Sequence, residues 1–270
     1  MSAAGEYLQA ALKEKLEDLP QRKLEPLEVC VIDSGVDASH PDLAGRVVKA
    51  YQISSLKEYV NDRLEEKPVV LPVEVGTNND DFGHGTGVSS IICRIAPNAS
   101  IVDIRVLGKD NKGSNLALVK GLSVAVERKS RLVNMSVAAN KLKGKTILSL
   151  CEKAYLQNQI IVAAKRNNPF PDSGYPAVFS NVISIDNETF PSPFLFRYLP
   201  GELIEYAAHG EEVPCAAPGG GYTTSTGTSF ATPTVCGLCA LIIGAYPMLR
   251  PFELKTLLKA FATDKDFDIE

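Results

Sequence analysis

The sequence lacks several features that would each indicate a class of protein. No amino-terminal apolar run resembles a signal peptide, and the longest apolar stretch, within residues 234–246, is too short to span a bilayer. With 28 basic and 32 acidic residues the net charge is −4, so the composition gives no basic surface for nucleic acid. We therefore expect a protein or peptide partner, no nucleic acid and no membrane. If the chain is complete, we expect a cytoplasmic location.

Cysteine offers no disulfide framework. The six cysteines show no regular spacing, which predicts free thiols: Cys30, Cys93, Cys151, Cys215, Cys236 and Cys239. The last two form a Cys-x-x-Cys motif that would suit redox or metal chemistry. The motif lies inside an apolar segment, however, and no second motif or histidine pair completes a zinc site. We interpret it as core packing.

Histidine is scarce, which narrows any search for a general base. The chain has only His40, His84 and His209. Of these, His84 has glycines on both sides, in Gly83-His84-Gly85-Thr86-Gly87. Glycines allow a turn to come close to a partner before a helix begins. His84 is therefore the candidate base.

A serine stands at the start of the longest apolar segment. Ser229 precedes Phe230–Tyr246, which predicts a buried helix with a partial positive charge at its amino end. Pro233 fits the first turn of such a helix. This environment suits an oxyanion, but a hydroxyl becomes a nucleophile only when a base takes its proton.

An acidic residue follows the first predicted strand. Glu28–Ile32 is a short apolar run typical of a central parallel strand, and Asp33 comes directly after it. Open α/β sheets build their sites at the carboxyl ends of strands. Asp33 is therefore a candidate to orient His84.

Four motifs, taken in their order along the chain, resemble those of the subtilisin-like serine proteases. They are Val31–Asp37, His84–Thr86, Val133–Ser136 and Gly227–Pro233, and the order Asp, His, Ser is the one found in that family. The resemblance implies an α/β fold of three layers, with a mostly parallel central sheet flanked by helices. The alternation of predicted strands and helices also favours this fold. It further implies a serine endopeptidase that needs no cofactor.

The resemblance also assigns catalytic roles. Ser229 matches the nucleophile, His84 the general base and Asp33 the residue that orients it. Asn167 matches the asparagine that binds the oxyanion together with the Ser229 amide. Asn168, one residue along, is an alternative for this role.

Arg166 stands where relatives usually have glycine. Either it reaches into the specificity pocket and favours acidic side chains, or it distorts the turn before Asn167. Asp172, nearby in sequence, would support the reverse preference.

Two segments match the walls of the substrate cleft. The first is Gly113, Ser114 and Asn115, which would pair with an extended peptide, with a simple turn as the alternative. The second is Ser136, Val137, Ala138 and Ala139. Relatives usually have glycines in place of Ala138 and Ala139, so we expect a narrower pocket for the residue before the cut bond.

Three further segments depart from compact relatives. Residues 1–26 predict an amino-terminal helical extension, with a helix over 2–19 that ends at Pro20, before a catalytic domain over 27–270. An insertion over about 47–80 contains Ser55–Glu58, a capping box that predicts a short helix. This insertion is either a surface decoration or a lid. Finally, the usual calcium loop is missing although Asp42 matches a calcium position, so we expect no metal.

Hydrolysis of peptide bonds, as limited cleavage of an intracellular protein, is the function expected from these features. Two alternatives remain at this stage. One is a transpeptidase or macrocyclase that uses the same three residues with a lid that excludes water. The other is a binding domain that has lost efficient catalysis through Arg166 and the altered pocket wall.

Overall fold

A sheet of mostly parallel β-strands forms the centre of the protein in a computed structural model. It describes residues 11–12, 15–60, 63–167 and 172–263, apart from the side chains of residues 57–65 and 141. The strands are β1 Leu27–Asp33, β2 Val47–Val60, β3 Arg63–Val73, β4 Ala99–Arg105, β5 Leu132–Met135, β6 Ile160–Ala164, β7 Ile183–Glu188, β8 Phe196–Tyr198, β9 Tyr206–His209, β10 Val213–Ala217 and β11 Gly221–Ser225.

Nine of these strands form one sheet in the order β3-β2-β4-β1-β5-β6-β7-β9-β8, and β10 and β11 form a separate antiparallel pair. Within the large sheet only the outermost pairs, β2 with β3 and β8 with β9, are antiparallel. The expected mostly parallel α/β sheet is therefore confirmed.

Helices cover both faces of the sheet. They are α1 His84–Ile95, α2 Asn115–Arg128, α3 Gly144–Leu156, α4 Thr228–Ala245 and α5 Pro251–Phe261. Val29 and Val31 of β1 belong to the core shared with α1, α4 and α5, whereas Cys30 and Ile32 belong to the core shared with α2 and α3. Because successive side chains of a strand point to opposite faces, β1 is buried on both sides. The three predicted layers are thus confirmed.

The most buried helix is α4. It is long and apolar enough to cross a membrane by length and composition, but 83% of it is buried inside the protein. It carries Cys236 and Cys239, whose side chains are fully buried. All six cysteines are free and buried, as predicted. The Cys-x-x-Cys motif is therefore part of the core packing.

The predicted short helix at Ser55–Glu58 is wrong. This segment lies in β2, which pairs antiparallel with β3 along its length and parallel with β4 from Val47 to Gln52. The ladder of backbone hydrogen bonds to β3 holds the segment extended, and it outweighs a local capping signal. The Ser55 hydroxyl donates to Glu66 across the hairpin instead of capping a helix.

The predicted amino-terminal helix is tested only in part. Residues 2–10, 13 and 14 lie outside the described residues. Leu16–Gln21 forms a 3₁₀ helix that includes Pro20, so the prediction that an α-helix ends at Pro20 is wrong here. Leu16 and Leu19 are buried against the core, whereas Leu12 is 46% exposed.

The packing of α2 on the sheet gives a test of the fold. Leu122 in α2 is 0% exposed, whereas Leu156 at the end of α3 is 82% exposed. We expect Leu122→Ala to lower the free energy of unfolding by about 2 to 5 kcal/mol, because it leaves a cavity in the core. Leu156→Ala, the matched control, should change it by less than about 0.5 kcal/mol. Urea unfolding measures both, and equal effects would contradict the described layer.

Candidate active site

A hydrogen bond joins the end of β1 to the start of α1. The Nδ1 atom of His84 lies 2.7 Å from Oδ1 of Asp33, whose carboxylate is buried. The approach depends on Gly85, since a Cβ there would collide with the backbone oxygen of Gly35. His84 therefore donates from Nδ1 to Asp33, and its Nε2 atom is the nitrogen that can accept a proton.

Opposing effects set the pKa of His84. Burial on its own lowers this pKa, because it disfavours the charged imidazolium. The negative charge of Asp33, the hydrogen bond to Asp33 and the charge of Asp80 all raise it, and the net direction is upward. An imidazolium that forms at His84 is therefore stabilised.

Asp80 is a residue of this site to which the sequence analysis assigned no role. Its buried Oδ1 accepts hydrogen bonds from the Ser34 hydroxyl and the Gly83 amide, each at 2.8 Å. Its Oδ2 accepts from the amide and the hydroxyl of Thr86, at 2.8 and 2.7 Å. The available signal was an acidic residue just before a predicted helix, where a carboxylate can accept from the free amides of the first turn.

The candidate nucleophile is held by the segment that follows β5. The Ser229 hydroxyl, in the first turn of α4, donates to the Ser136 carbonyl at 3.0 Å. In return, the Ser136 hydroxyl donates to the Ser229 carbonyl at 2.8 Å. The side-chain amide of Asn134 donates to the Ser136 hydroxyl at 3.0 Å. Ser136 thus contacts Ser229 through two separate hydrogen bonds.

His84 and Ser229 line the same cleft. The centre of the His84 ring lies 5.3 Å from the centre of the ring of Phe230, the residue after Ser229. The Ser229 hydroxyl points to Ser136, so its proton must be redirected to His84 before attack. Such hydrogen bonds often form only once substrate is bound.

Asn167 lies beside the start of α4. Its side-chain oxygen accepts the Thr228 amide at 3.2 Å, and the Thr228 hydroxyl donates to the Lys165 carbonyl at 2.6 Å. The Thr228 amide and hydroxyl both contact the side-chain oxygen of Asn167, at 3.2 and 3.1 Å, so its NH₂ group is the donor that can face the cleft. Asn168, the alternative, lies outside the described residues.

A cleft of about 640 Å³ joins these groups. His84, Asn167 and Ser229 line it together with seven of the expected substrate-binding residues: Gly113, Ser114, Asn115, Ser136, Val137, Ala138 and Arg166. Ala139 does not line the cleft. Its side chain is buried, and its backbone exchanges two hydrogen bonds with Tyr175, at 2.8 and 3.1 Å.

The first wall of the cleft is fixed by local packing. A Cβ at Gly113 would lie 2.6 Å from the Val106 carbonyl oxygen, so the chain approaches β4 more closely than other residues allow. The Ser114 hydroxyl accepts the Ala117 amide at 3.1 Å and caps α2. Across the cleft, the Asn140 amide donates to the Asn115 side chain at 3.2 Å.

Of the other histidines, His40 lies in the loop between β1 and β2, and His209 is the last residue of β9. His40 is buried, with Nε2 at 2.8 Å from the Gly221 carbonyl. His209 accepts the Phe190 amide at 3.2 Å. Asp42 accepts the Tyr222 hydroxyl at 2.8 Å. Within the described part of the chain, no group of three or more His, Cys, Asp or Glu residues could hold a metal ion.

The role of Asp80 can be tested through the pKa of His84. Asp80→Asn keeps one acceptor oxygen but removes a negative charge, so we expect the pKa of His84 to fall. An NMR titration of the imidazole measures it, with His84→Gln assigning the signal. Asp81→Asn, which removes the adjacent charge paired with Arg105, is the control and should leave the titration unchanged. Equal shifts in both variants would contradict the role given to Asp80.

Comparisons with known proteins agree with this geometry. The family model described as the subtilase family matches residues 27–269. Subtilisin DY of Bacillus licheniformis is 31% identical over 253 residues, which cover 88% of this chain and 84% of that protein. An intracellular serine protease of Paenibacillus polymyxa is 29% identical over 230 residues, 80% of this chain and 66% of that protein. The chain spans 60% of the length of several other Bacillus subtilisins.

A solved structure supports the same fold. A cold adapted subtilisin-like serine proteinase superposes with a TM-score of 0.69 at 24% identity, covering 91% of this chain and 90% of that chain. At this identity the likeness concerns the fold alone. The family model and the identity to subtilisin DY carry the assignment, and they show that this chain belongs to the subtilase family of subtilisin-like serine endopeptidases.

Proposed function

We propose that this chain hydrolyses peptide bonds through Asp33, His84 and Ser229, with an acyl-enzyme intermediate. The observation that carries the proposal is the 2.7 Å contact between His84 and Asp33 beside a cleft that Ser229 and Asn167 also line. These are the groups that acyl transfer needs: a nucleophile, an oriented base and an oxyanion donor.

In the first half of the reaction, the Ser229 proton moves to Nε2 of His84 while Oγ attacks the substrate carbonyl carbon. Nδ1–H stays directed at Asp33, whose charge stabilises the imidazolium. The oxyanion accepts from the Asn167 NH₂ and from the Ser229 amide at the amino end of α4, where the helix dipole is positive. His84 then gives the proton to the leaving amine as the C–N bond breaks.

In the second half, His84 takes a proton from a water molecule, whose oxygen attacks the acyl carbon. The bond to Ser229 breaks and His84 returns the proton to Oγ. The peptide lies extended between Gly113–Asn115 and Ser136–Ala138, where backbone hydrogen bonds hold it in register.

We further propose the division into residues 1–26 as an extension and 27–270 as the catalytic domain, with 47–80 as an insertion. A cytoplasmic role in limited cleavage is supported only by the likeness to an intracellular serine protease. No described side chain of the β2–β3 hairpin lines the cleft, so nothing there favours a lid for ligation over hydrolysis.

The catalytic assignment is tested with a fluorophosphonate probe and intact mass. We expect one adduct on the folded chain, no adduct on Ser229→Ala, and an unchanged adduct on the surface control Ser123→Ala. Asn167→Ala should lower kcat/KM for a peptide by roughly 10²- to 10³-fold, a magnitude established for the corresponding donor of a subtilisin. A folded chain without an adduct would contradict an activated Ser229.

Hydrolysis is distinguished from ligation by the mass of the products. In ¹⁸O-labelled water each cut should add one heavy oxygen to the new carboxyl group, because water attacks the acyl-enzyme. Joined or cyclic peptides without the label would show that an amine intercepts the acyl-enzyme instead.

A further inference from the structure

The charged side chains that line the cleft are basic, although the chain as a whole is acidic. Lys112, Lys165 and Arg166 line the cleft, and none of its lining residues in the described part of the chain is acidic. The protein as a whole has a net charge of −4. Each cation is paired with a carboxylate that does not line the cleft, Asp110, Asp186 or Asp172, so an anionic group on a bound peptide would replace one of these partners.

Arg166 is one of the three cationic residues that line the cleft. It directly precedes Asn167, and its backbone amide donates to the Ser173 carbonyl at 2.9 Å. This bond keeps the turn ordered, so Arg166 does not disrupt the approach to Asn167. Of the alternatives open from the sequence, a side chain that reaches the pocket agrees with this geometry.

The Arg166 stem forms part of the pocket wall. A Cβ built on Gly174 would lie 2.8 Å from Cβ of Ala138 and 3.2 Å from Cβ of Arg166, so these residues meet at one point. Ala138, which follows β5, and Arg166, which follows β6, both line the cleft together with Ser229 and Asn167. A peptide whose carbonyl lies at Ser229 and Asn167 therefore brings its neighbouring side chains to the part of the cleft that Ala138 and Arg166 line.

The Arg166 guanidinium is held by a carboxylate that water also reaches. Its Nη1 atom lies 3.1 Å from Oδ1 of Asp172, and the two side chains are 17% and 45% exposed. Asp172 also accepts the Gly174 amide at 3.0 Å. Ion pairs that water reaches contribute little free energy. The carboxylate of a substrate can therefore replace Asp172 as the partner of Arg166 at a small cost in free energy. Arginine suits this exchange, since its planar group binds carboxylates in paired hydrogen bonds.

We propose that the cleft selects an acidic residue, Glu or Asp, on the acyl side of the cut bond, and that Arg166 binds its carboxylate in exchange for Asp172. This inference rests on the proposed function, because it names the substrate class of the same cleft. Arg166 is a specificity-determining residue in this role, and it takes no part in proton transfer.

Lys165 provides a matched control. It is the neighbouring cation and also lines the cleft, but its ammonium lies 2.5 Å from Asp186. Asp186 is absent from the lining of the cleft and lines a second depression, which Lys165, Arg166 and Asn167 also border. Loss of its charge should therefore leave the choice of acyl-side residue unchanged.

The test uses two quenched fluorescent peptides that differ only by Glu or Gln at one position, with the cut located by mass spectrometry. We expect kcat/KM to be roughly 10- to 100-fold higher for the Glu peptide than for the Gln peptide, because a hydrogen bond between charged groups contributes an effect of this size. The ratio should fall to near one in Arg166→Met, recover in part in Arg166→Lys and stay unchanged in Lys165→Met. Asp172→Asn keeps an acceptor for Gly174 but removes the competing charge, so the ratio should rise.

Two results would overturn the proposal. One is a wild-type ratio near one, or a ratio that survives in Arg166→Met. The other, measured with a third peptide that carries Lys at the same position, is a preference for Lys that disappears in Asp172→Asn, which would assign specificity to the carboxylate instead. Fluorophosphonate labelling of every variant shows that Ser229 and the fold around it are intact.

A binding measurement separates this proposal from the proposed function. The same two peptides are titrated into Ser229→Ala by fluorescence anisotropy, which needs no chemistry. Ser229→Ala should bind the Glu peptide more tightly than the Gln peptide, and the difference should disappear in the double variant Ser229→Ala, Arg166→Met. This result supports the selection even if the wild type cuts neither peptide. If the wild type is labelled by the probe and cuts peptides, but Ser229→Ala binds both peptides with equal Kd values, the proposed selection is wrong and the catalytic proposal stands.

Discussion

The contact between the end of β1 and the first turn of α1 is the constraint on which the site depends. Asp33 and His84 can meet only because Gly85 lets the helix approach the backbone of Gly35. Asp80 then joins the same two elements by accepting hydrogen bonds from Ser34 and from the first turn of α1. A buried carboxylate with four donors stays ordered, so His84 is held before any substrate arrives.

The nucleophile depends on a second pairing of elements. The parallel strands β1, β5 and β6 are neighbours in the sheet, so the residues after them meet at one edge. The segment after β5 holds Ser229 by two hydrogen bonds, and the segment after β6 carries Asn167. The same sheet edge therefore supplies Asp33, which contacts His84, the segment that holds Ser229, and the side chain of Asn167. Electrostatic catalysis needs such preorganisation, because donors that are already oriented need not be rearranged during the reaction.

The β2–β3 hairpin, between β1 and α1, extends this sheet, and none of its described side chains lines the cleft. Tyr51 of β2 and Val70 of β3 pack against the core that includes α2. The hairpin therefore gains its order from the sheet edge and from α2 together. Its described side chains are absent from the cleft, which leaves the cationic side chains of the cleft accessible to an acidic peptide.

Much of this protein was determined by the sequence alone. The apolar run before Asp33, the glycines around His84 and the apolar segment after Ser229 each specify a local structure, and their order along the chain indicates the family. Local signals failed where distant contacts decided the outcome. Ser55–Glu58 has a helix start signal, yet pairing with β3 made it a strand.

Only the tertiary structure decided which side chains meet. The sequence left the orientation of Arg166 open and gave Asp80 no role, because their partners depend on how loops from separate strands converge. The pairing of Arg166 with Asp172 lies within one turn, but the convergence of Ala138, Gly174 and Arg166 requires β5, β6 and the following loop to be assembled. Backbone patterns fix the elements, whereas charge and shape in the cleft arise from packing between them.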